Sequence, residues 1–475
     1  TGIAVVDATN VGTARAAALT DSTGANYFAP VGMLSVTDAD VTVSRNKLQA
    51  QIDGNVAGNT LGVDASTSIA GSTPATPTAN LATYAVKNNQ FNSATLDAAV
   101  TRADVGVFLE NVLALPGTQL VPGQITGIAG SINNSNVTVS GNSADARGTA
   151  NTQSSLLTVK SGGSVGDSTN PSTYTVQNDQ VNAPTGQVTA LVGGDARVSV
   201  PGAVGSGPFA GGLPGDNVNI GIKAVDGISG SMAVTDNTMT ALADGNTSLA
   251  NNVLITAGNT VYTPRVNVGS TQLNDGALKA DVVGYGDTTQ QADPGGVAVG
   301  IQAGTNISGR NTVSDNKLTA ATAGNTAASN LASLVTAGTV NDPVMDVNNA
   351  QTNRATLAAR VKNEAIGIVA GGNIVDGANS VDRNEQTAQS YGNTAGTNKV
   401  NVSADNILGT PAIFGVTNTQ DNIQTSPVAV PPASITVAVG KANLNDRAGK
   451  TAGRKIDLYV SRVSDRRLPD MESGK

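Results

Sequence analysis

From Val313 to Leu331 the chain reads VSDNKLTAATAGNTAASNL, and Asn316, Leu318 and Ala320 fall on alternate positions. The same alternation places Asn46, Leu48 and Ala50 in VSRNKLQAQIDGNVAGNTL, which starts at Val43. A period of two is the signal of a strand with one buried face. Ala and Leu also favour helix, but Asn, Thr and Gly fill the same window, and no apolar stripe at helical spacing persists. The pattern predicts a short strand, a turn at AGN or DGN where Gly and Asn tolerate positive φ, and a second short strand.

The stretch has relatives within the chain. VTDNTMTALADGNTSLANNVL starts at Val234, VDRNEQTAQSYGNTAGTNKV at Val381 and a degraded copy, VSGNSADARGTANTQSSL, at Val139. Aligned on the first asparagine, the copies begin at Asn46, Asn142, Asn237, Asn316 and Asn384. An alanine follows at Ala50, Ala146, Ala241, Ala320 and Ala388, and a second asparagine at Asn55, Asn151, Asn246, Asn325 and Asn393. Gly54, Gly245, Gly324 and Gly392 precede that second asparagine in every copy but the degraded one.

A second motif, with the core Gln-x-Asn, alternates with the first: Gln90/Asn92, Gln180/Asn182, Gln272/Asn274, Gln351/Asn353 and Gln420/Asn422. The full period shrinks from 96 to 68 residues because the connectors vary in length. Strand–turn–strand units of this size cannot bury a face alone, so neighbours must stack. The expected fold is therefore all-β: a β-solenoid built from alternating half-modules over residues 1–440, with a distinct segment at 441–475. Equivalent Asn and Gln side chains would lie one above another as hydrogen-bonded ladders, while Ala and Val fill a narrow interior. If each half-module makes about two rungs, the body holds roughly 25 rungs and extends about 120 Å. An array of small β-sandwiches and a disordered low-complexity chain are the competing readings.

Composition sharpens this picture. Gly is 55 of 475 residues, Phe five, Tyr seven and Trp none, so the large areas that aromatics bring to a globular core are missing. Phased Val, Leu and Ala positions tell against disorder. With no Cys there is no disulfide or thiol chemistry, and with no His the commonest general base and transition-metal ligand is gone. A net charge of −8 disfavours nucleic-acid binding, which needs a basic face. Asp38, Asp40 and Asp236 lack the spacing of calcium loops and read as turn or edge residues. A glycosidase-like carboxylate pair would have to come from such aspartates or from Glu110, Glu364, Glu385 and Glu472, and nothing singles one out. No catalytic, cofactor or metal residue is expected. The start at Thr1 fits removal of a leader, as would any trimmed start. Residues 441–475 carry nine Lys/Arg and five Asp/Glu, and Ile456, Leu458 and Val460 alternate as in an ordinary strand. This segment reads either as a charged cap over a terminal rung or as a device for joining subunits.

The Gln-x-Asn and Gly-Asn units, with Ala and Val between, resemble the curlin-type repeats of secreted bacterial surface fibres and the holdfast-anchor and related bacterial β-strand-repeat proteins. The resemblance runs over roughly residues 3–440, although the period here is longer and connectors intrude. It implies export to the cell surface or beyond, self-association into a fibre, and adhesion or matrix building. The expected partners are other copies of the chain, a surface polysaccharide or an outer-membrane anchor. The alternative is a non-polymerising adhesin or a phage-fibre-like carbohydrate-binding protein.

Overall fold

The computed structural model describes residues 35–70, 84–101, 103–109, 130–168, 171–193, 218–224, 226–283, 299–362, 366–375, 377–409 and 412–423. It also gives the backbone of strands 2–7, 11–15, 18–20, 26–28, 435–439 and 455–460. Every described element is a strand. The repeat explains the arrangement, because successive copies supply strands to the same sheets in the same order. The third copy runs through Ile228–Thr235, Thr238–Ala257, Val261–Tyr262, Pro264–Asn274, Leu278–Val283 and Val299–Ala303. Each of these pairs in parallel with its counterpart in the fourth copy: Ile307–Ser314, Lys317–Thr336, Thr339–Asn341, Val344–Asn353, Leu357–Lys362 and Ile366–Ala370. Among the described residues the sole antiparallel pair is Ala18–Thr20 with Asn26–Phe28.

Two expectations are corrected here. The Gly-Asn pair is not a turn: Lys317–Thr336 is one strand of 20 residues that passes straight through Gly324 and Asn325. What changes there is the face. Leu318, Ala320, Thr322 and Gly324 are buried in alternation, and Asn325 and Ala327 then continue one position out of phase. In four copies glycine answers a close approach rather than a positive φ, and the second copy carries Ala150 there. A Cβ on Gly324 would lie 2.5 Å from the Gly392 carbonyl oxygen and 2.8 Å from Asn353 Oδ1. The stack is also far shallower than 25 rungs. Successive copies of one motif are immediate neighbours in the sheet, so a whole double module adds a single strand to each ladder. Five copies at strand spacing span only about 20 Å.

The long strand serves two apolar cores. Its first half packs in a core containing Ala146, Val139, Val188, Ile220 and Met232, and its second half in one containing Leu157, Val159, Tyr174, Val176 and Ile255. Identical small residues stack in columns, as in Ala50–Ala146–Ala241–Ala320–Ala388 and Val100–Val192–Val282–Val361. Each fully buried valine contributes about 1.5 kcal/mol, so aromatics are not needed to hold a thin stack together. Between the two cores the buried positions of the long strand are almost all polar: Asn151, Gln153 and Ser155 in the second copy, Asn246, Ser248 and Asn251 in the third. The facing strand does the same with Asn178, Gln180 and Asn182. The molecule is thus two small-residue cores divided by a wall of amides.

At the ends of the stack further strands pair onto the sheets that surround the first core. Gly2–Asp7 pairs with Leu96–Thr101, and Val11–Arg15 with Ala103–Leu109. Ile435–Val439 pairs with Leu357–Lys362, and Lys455–Val460 with the first six residues of Glu385–Ser403. Of the charged segment 441–475, this last strand alone is described.

Candidate functional site

The first asparagine of each copy sits at a corner. The residue before it takes a left-handed backbone conformation: Arg45, Gly141, Asp236, Asp315 and Arg383 all have φ between 50° and 64°. This turns the chain from the short strand into the long one and points the asparagine inward. Asn46 Nδ2 donates to Asn142 Oδ1 at 2.9 Å, and the same contact, also 2.9 Å, links Asn142 to Asn237, Asn237 to Asn316 and Asn316 to Asn384. Each Oδ1 also accepts the backbone N–H of the preceding copy's asparagine at 3.0–3.1 Å. Each later Nδ2 reaches back to a valine carbonyl, as Asn316 does to Val234 at 3.0 Å. A corner that would strand buried donors and acceptors is thereby satisfied by one residue type.

The wall between the cores is built from the second asparagine and the Gln-x-Asn strand. Asn55, Asn151, Asn246, Asn325 and Asn393 form one ladder, each Nδ2 donating to the next Oδ1 at 2.7–2.8 Å. Gln90, Gln180, Gln272, Gln351 and Gln420 form another with the opposite direction of donation, each Nε2 reaching the preceding Oε1 at 2.6–2.8 Å. Asn92, Asn182, Asn274 and Asn353 form a third at 2.8–2.9 Å; Asn422 lies in register with Asn353 and instead accepts from Asn393 Nδ2 at 3.4 Å.

The two strands also lock each other. Asn325 Nδ2 donates to the Thr352 carbonyl at 2.8 Å, and Gln351 Nε2 to the Thr394 carbonyl at 2.9 Å. Asn151 with Val181 and Gln180 with Thr247 repeat this two copies earlier. Carbonyls exposed where the long strand changes face are therefore capped by amides from across the wall.

Sequence reasoning missed two ladders. Asn88 donates to Asn178 and Asn349 to Asn418, so the second motif is Asn-x-Gln-x-Asn in four of five copies, a spacing present in the sequence itself. Asn251, Asn330 and Asn398, each 14 residues beyond a corner asparagine, form a further ladder at 2.7–2.8 Å, joined by Gln153 of the second copy. The Asn-x-Gln-x-Asn ladder is broken once. Ser270 replaces asparagine between Asn178 and Asn349, and its buried Oγ and the Asn349 Oδ1 have no protein partner.

Charges sit mostly outside this wall. Asp38 and Asp40 accept from Asn134 and Asn136 at the edge of the short-strand sheet. Asp315 receives two bonds from Arg383, each 2.7 Å, and they hold its carboxyl below the usual range. Asp281 is fully buried against Arg360 and Lys279 Nζ, the latter at 2.7 Å. Burial pushes Asp244 up to about 6, against a weaker pull from Arg147. Glu385 lies 3.4 Å from Lys317 Nζ; Glu110, Glu364 and Glu472 lie outside the described residues. Among the described residues no three carboxylates gather into a metal-binding group. A shallow cleft of about 250 Å³ lies between Tyr262, Asn341, Asp342 and Leu408, with Asp342 its one carboxylate. The ladders are therefore the feature with the most developed geometry, and what they do is hold strands in register. Comparison with family models, curated proteins and solved structures gives no match.

Proposed function

We propose that the chain is a structural subunit whose product is shape: a β-solenoid, one double module to each turn, that assembles with copies of itself into a filament or adhesive fibre at or beyond the bacterial cell surface. The observation that carries this is the continuity of the corner-asparagine and glutamine ladders through all five copies, each keeping its own donor direction at every step. A ladder of this kind has no natural stopping point, since each copy offers the next the partner it has just received. Extracellular placement and adhesion are supported by the resemblance of the Gln-x-Asn and Gly-Asn units to surface-fibre repeats. The partners on this reading are further copies of the chain, and beyond them a surface polysaccharide or membrane anchor. Assembly by stacked strands calls for no catalysis and no cofactor.

Electron microscopy of the purified protein at rising concentration tests the proposal. Uniform filaments that grow with concentration are the expected result. Dispersed short rods at every concentration would overturn it in favour of a non-polymerising adhesin or carbohydrate-binding fibre.

A further inference from the structure

The two ends of the stack are unequal. At the far end of the second core, Phe414 and Val416 are 45% and 51% exposed, while their neighbours one strand inward, Met345 and Val347, are fully buried. Ile407, Leu408 and Ile413 extend the same apolar edge. The strand Ile413–Asn422 pairs with Val344–Asn353 on one side and with no described strand on the other. An open apolar edge with unpaired backbone groups is a template for another strand.

The ladders state which strand it fits. Gln420 Nε2 is spent on Gln351, and its Oε1 has no donor among the described residues. At the opposite end, Gln90 Oε1 is taken by Gln180, and Gln90 Nε2 is the side of that ladder facing away from the body. The asparagine ladder ends in the reverse sense: Asn55 Oδ1 lacks the donor that every later copy has, and Asn393 Nδ2, which donates to Asp421 O at 2.9 Å and to Asn422 Oδ1 at 3.4 Å, would supply it by giving up the longer bond. The far end of one copy and the near end of another are complementary in both ladders. Two far ends brought together would oppose like groups.

The sheets around the first core, however, carry a further paired strand at both ends. A second copy docked so that its Tyr84–Asn92 follows Ile413–Asn422 would bring its Lys47–Ile52 beside Glu385–Ser390. That position already holds Lys455–Val460. The two segments share a pattern: KIDLYV has Lys first and apolar residues second, fourth and sixth, as has KLQAQI. Likewise Gly2–Asp7 of the incoming copy would fall on the edge of Leu357–Lys362 now paired with Ile435–Val439.

Building on the reading of the chain as a self-assembling subunit, we propose that copies dock head to tail through the second core, Tyr84–Asn92 of one on Ile413–Asn422 of the next. We further propose that Ile435–Val439 and Lys455–Val460 are internal stand-ins for a second copy's strands, and must lift before the junction closes. The described strand Lys455–Val460 pairs with Glu385–Ser390, short of the Gly-Asn position, so it blocks the edge beside the first core and not the edge of the second. It acts as a stop on growth that competes with the next subunit on equal terms.

The chain has no cysteine, so an engineered pair reports on the junction alone. Lys87 and Thr417 occupy the same register column and are both exposed. In the docked pair their Cα atoms would stand about 4.8 Å apart, within disulfide range. The full-length Lys87→Cys/Thr417→Cys protein should give covalent oligomers on oxidation, about tenfold more than Asn89→Cys/Thr417→Cys, which is two residues out of register on the same face. Adding Leu458→Pro/Tyr459→Pro, which strips a ladder N–H from the stand-in whichever parity is bonded, should raise the in-register yield severalfold at unchanged circular dichroism. Equal yields from both cysteine pairs would overturn the docking, and no gain from the prolines would overturn the stop. Filaments by microscopy without the in-register cross-link would sink this junction while leaving the proposed function standing. No assembly in any variant would sink both.

Discussion

The sharpest test of the ladder argument is Asn316→Leu, a change that keeps the heavy-atom count and branching and removes every polar atom of one corner side chain. Asn316 makes four ladder contacts: Oδ1 accepts from Asn237 N and Nδ2, and Nδ2 donates to Val234 O and Asn384 Oδ1. Leucine leaves the Asn237 N–H and the Val234 carbonyl without this partner in the interior. Asn237 Nδ2 keeps its bond to Val139 O at 3.2 Å, and Asn384 is partly exposed and can turn to water. One buried orphan, the Asn237 N–H, at about 1–3 kcal/mol and the lost second bond to Val234 O at about 1 kcal/mol, less about 1 kcal/mol for the added apolar burial, predict a loss of about 2 kcal/mol. Asn46→Leu is the matched control. Asn46 gives one side-chain bond to Asn142 Oδ1, and that oxygen retains the Asn46 backbone N–H, so no buried group is orphaned and the loss should be about 1 kcal/mol. Urea unfolding should show the larger drop in midpoint for Asn316→Leu. Hydrogen exchange should show lost protection at Asn237 and its neighbours in that variant alone. Equal losses from the two variants, or unchanged exchange at Asn237, would refute the claim that the corner amides satisfy buried backbone.

Ser270→Asn restores the one missing member of the Asn-x-Gln-x-Asn ladder and gives Asn349 Oδ1 a donor; the urea midpoint should rise by the equivalent of about 1 kcal/mol, and a fall would mean the gap is too small for the amide. Asp244 titrates near 6 in the fold and near 3.8 when free, so the fold favours its protonated form. Its contribution is therefore best below pH 4 and is lost as pH rises through 4 to 6, by up to about 3 kcal/mol. Asp244→Asn should flatten that slope in pH-dependent unfolding and raise stability at pH 7. Gly300 has φ of 151° and a Cβ there would strike the Gly367 carbonyl, so Gly300→Ala should cost about 2–4 kcal/mol by the same assay, against no measurable loss for Gly58→Ala, where the space is open.

The sequence announced strands and their stacking partners, because alternation at Asn316, Leu318 and Ala320 and the fixed offsets of Ala320 and Asn325 are one-dimensional facts. It did not announce the turn that is not there. Gly-Asn has the same local chemistry whether the chain reverses or an extended strand merely changes face, and the choice is made by Asn353 pressing on Gly324 from another strand. Depth was misread for a related reason. A half-module looks like a complete rung until one knows that Asn325 must reach across to cap the carbonyl of Thr352 in its own copy, which needs both half-modules in a single layer. The ladder of Asn251, Asn330 and Asn398 was hidden because the second copy places Ser155 in that column and reaches Asn251 with Gln153 from two positions away.

The buried amides are a costly way to fill an interior, and their return is register. The apolar columns of this chain are Ala on Ala and Val on Val, and a slip of two residues along the strand would bury much the same surface, since every second position is small and apolar. Hydrophobic burial therefore barely separates the native pairing from its neighbours. An amide ladder separates them sharply. Slipping Lys317–Thr336 by two against Glu385–Ser403 would set Asn325 opposite Tyr391 or Ala395 and Asn330 opposite Gly396 or Val400, leaving buried donors and acceptors unmet in several ladders at once. At about 1–3 kcal/mol for each orphaned group, three broken rungs outweigh any gain from alternative packing. Placing the amides between two cores, rather than at one edge, makes the same wall police both halves of the long strand. A chain poor in aromatics and rich in interchangeable alanines needs that discipline more than it needs a few extra kcal/mol of burial.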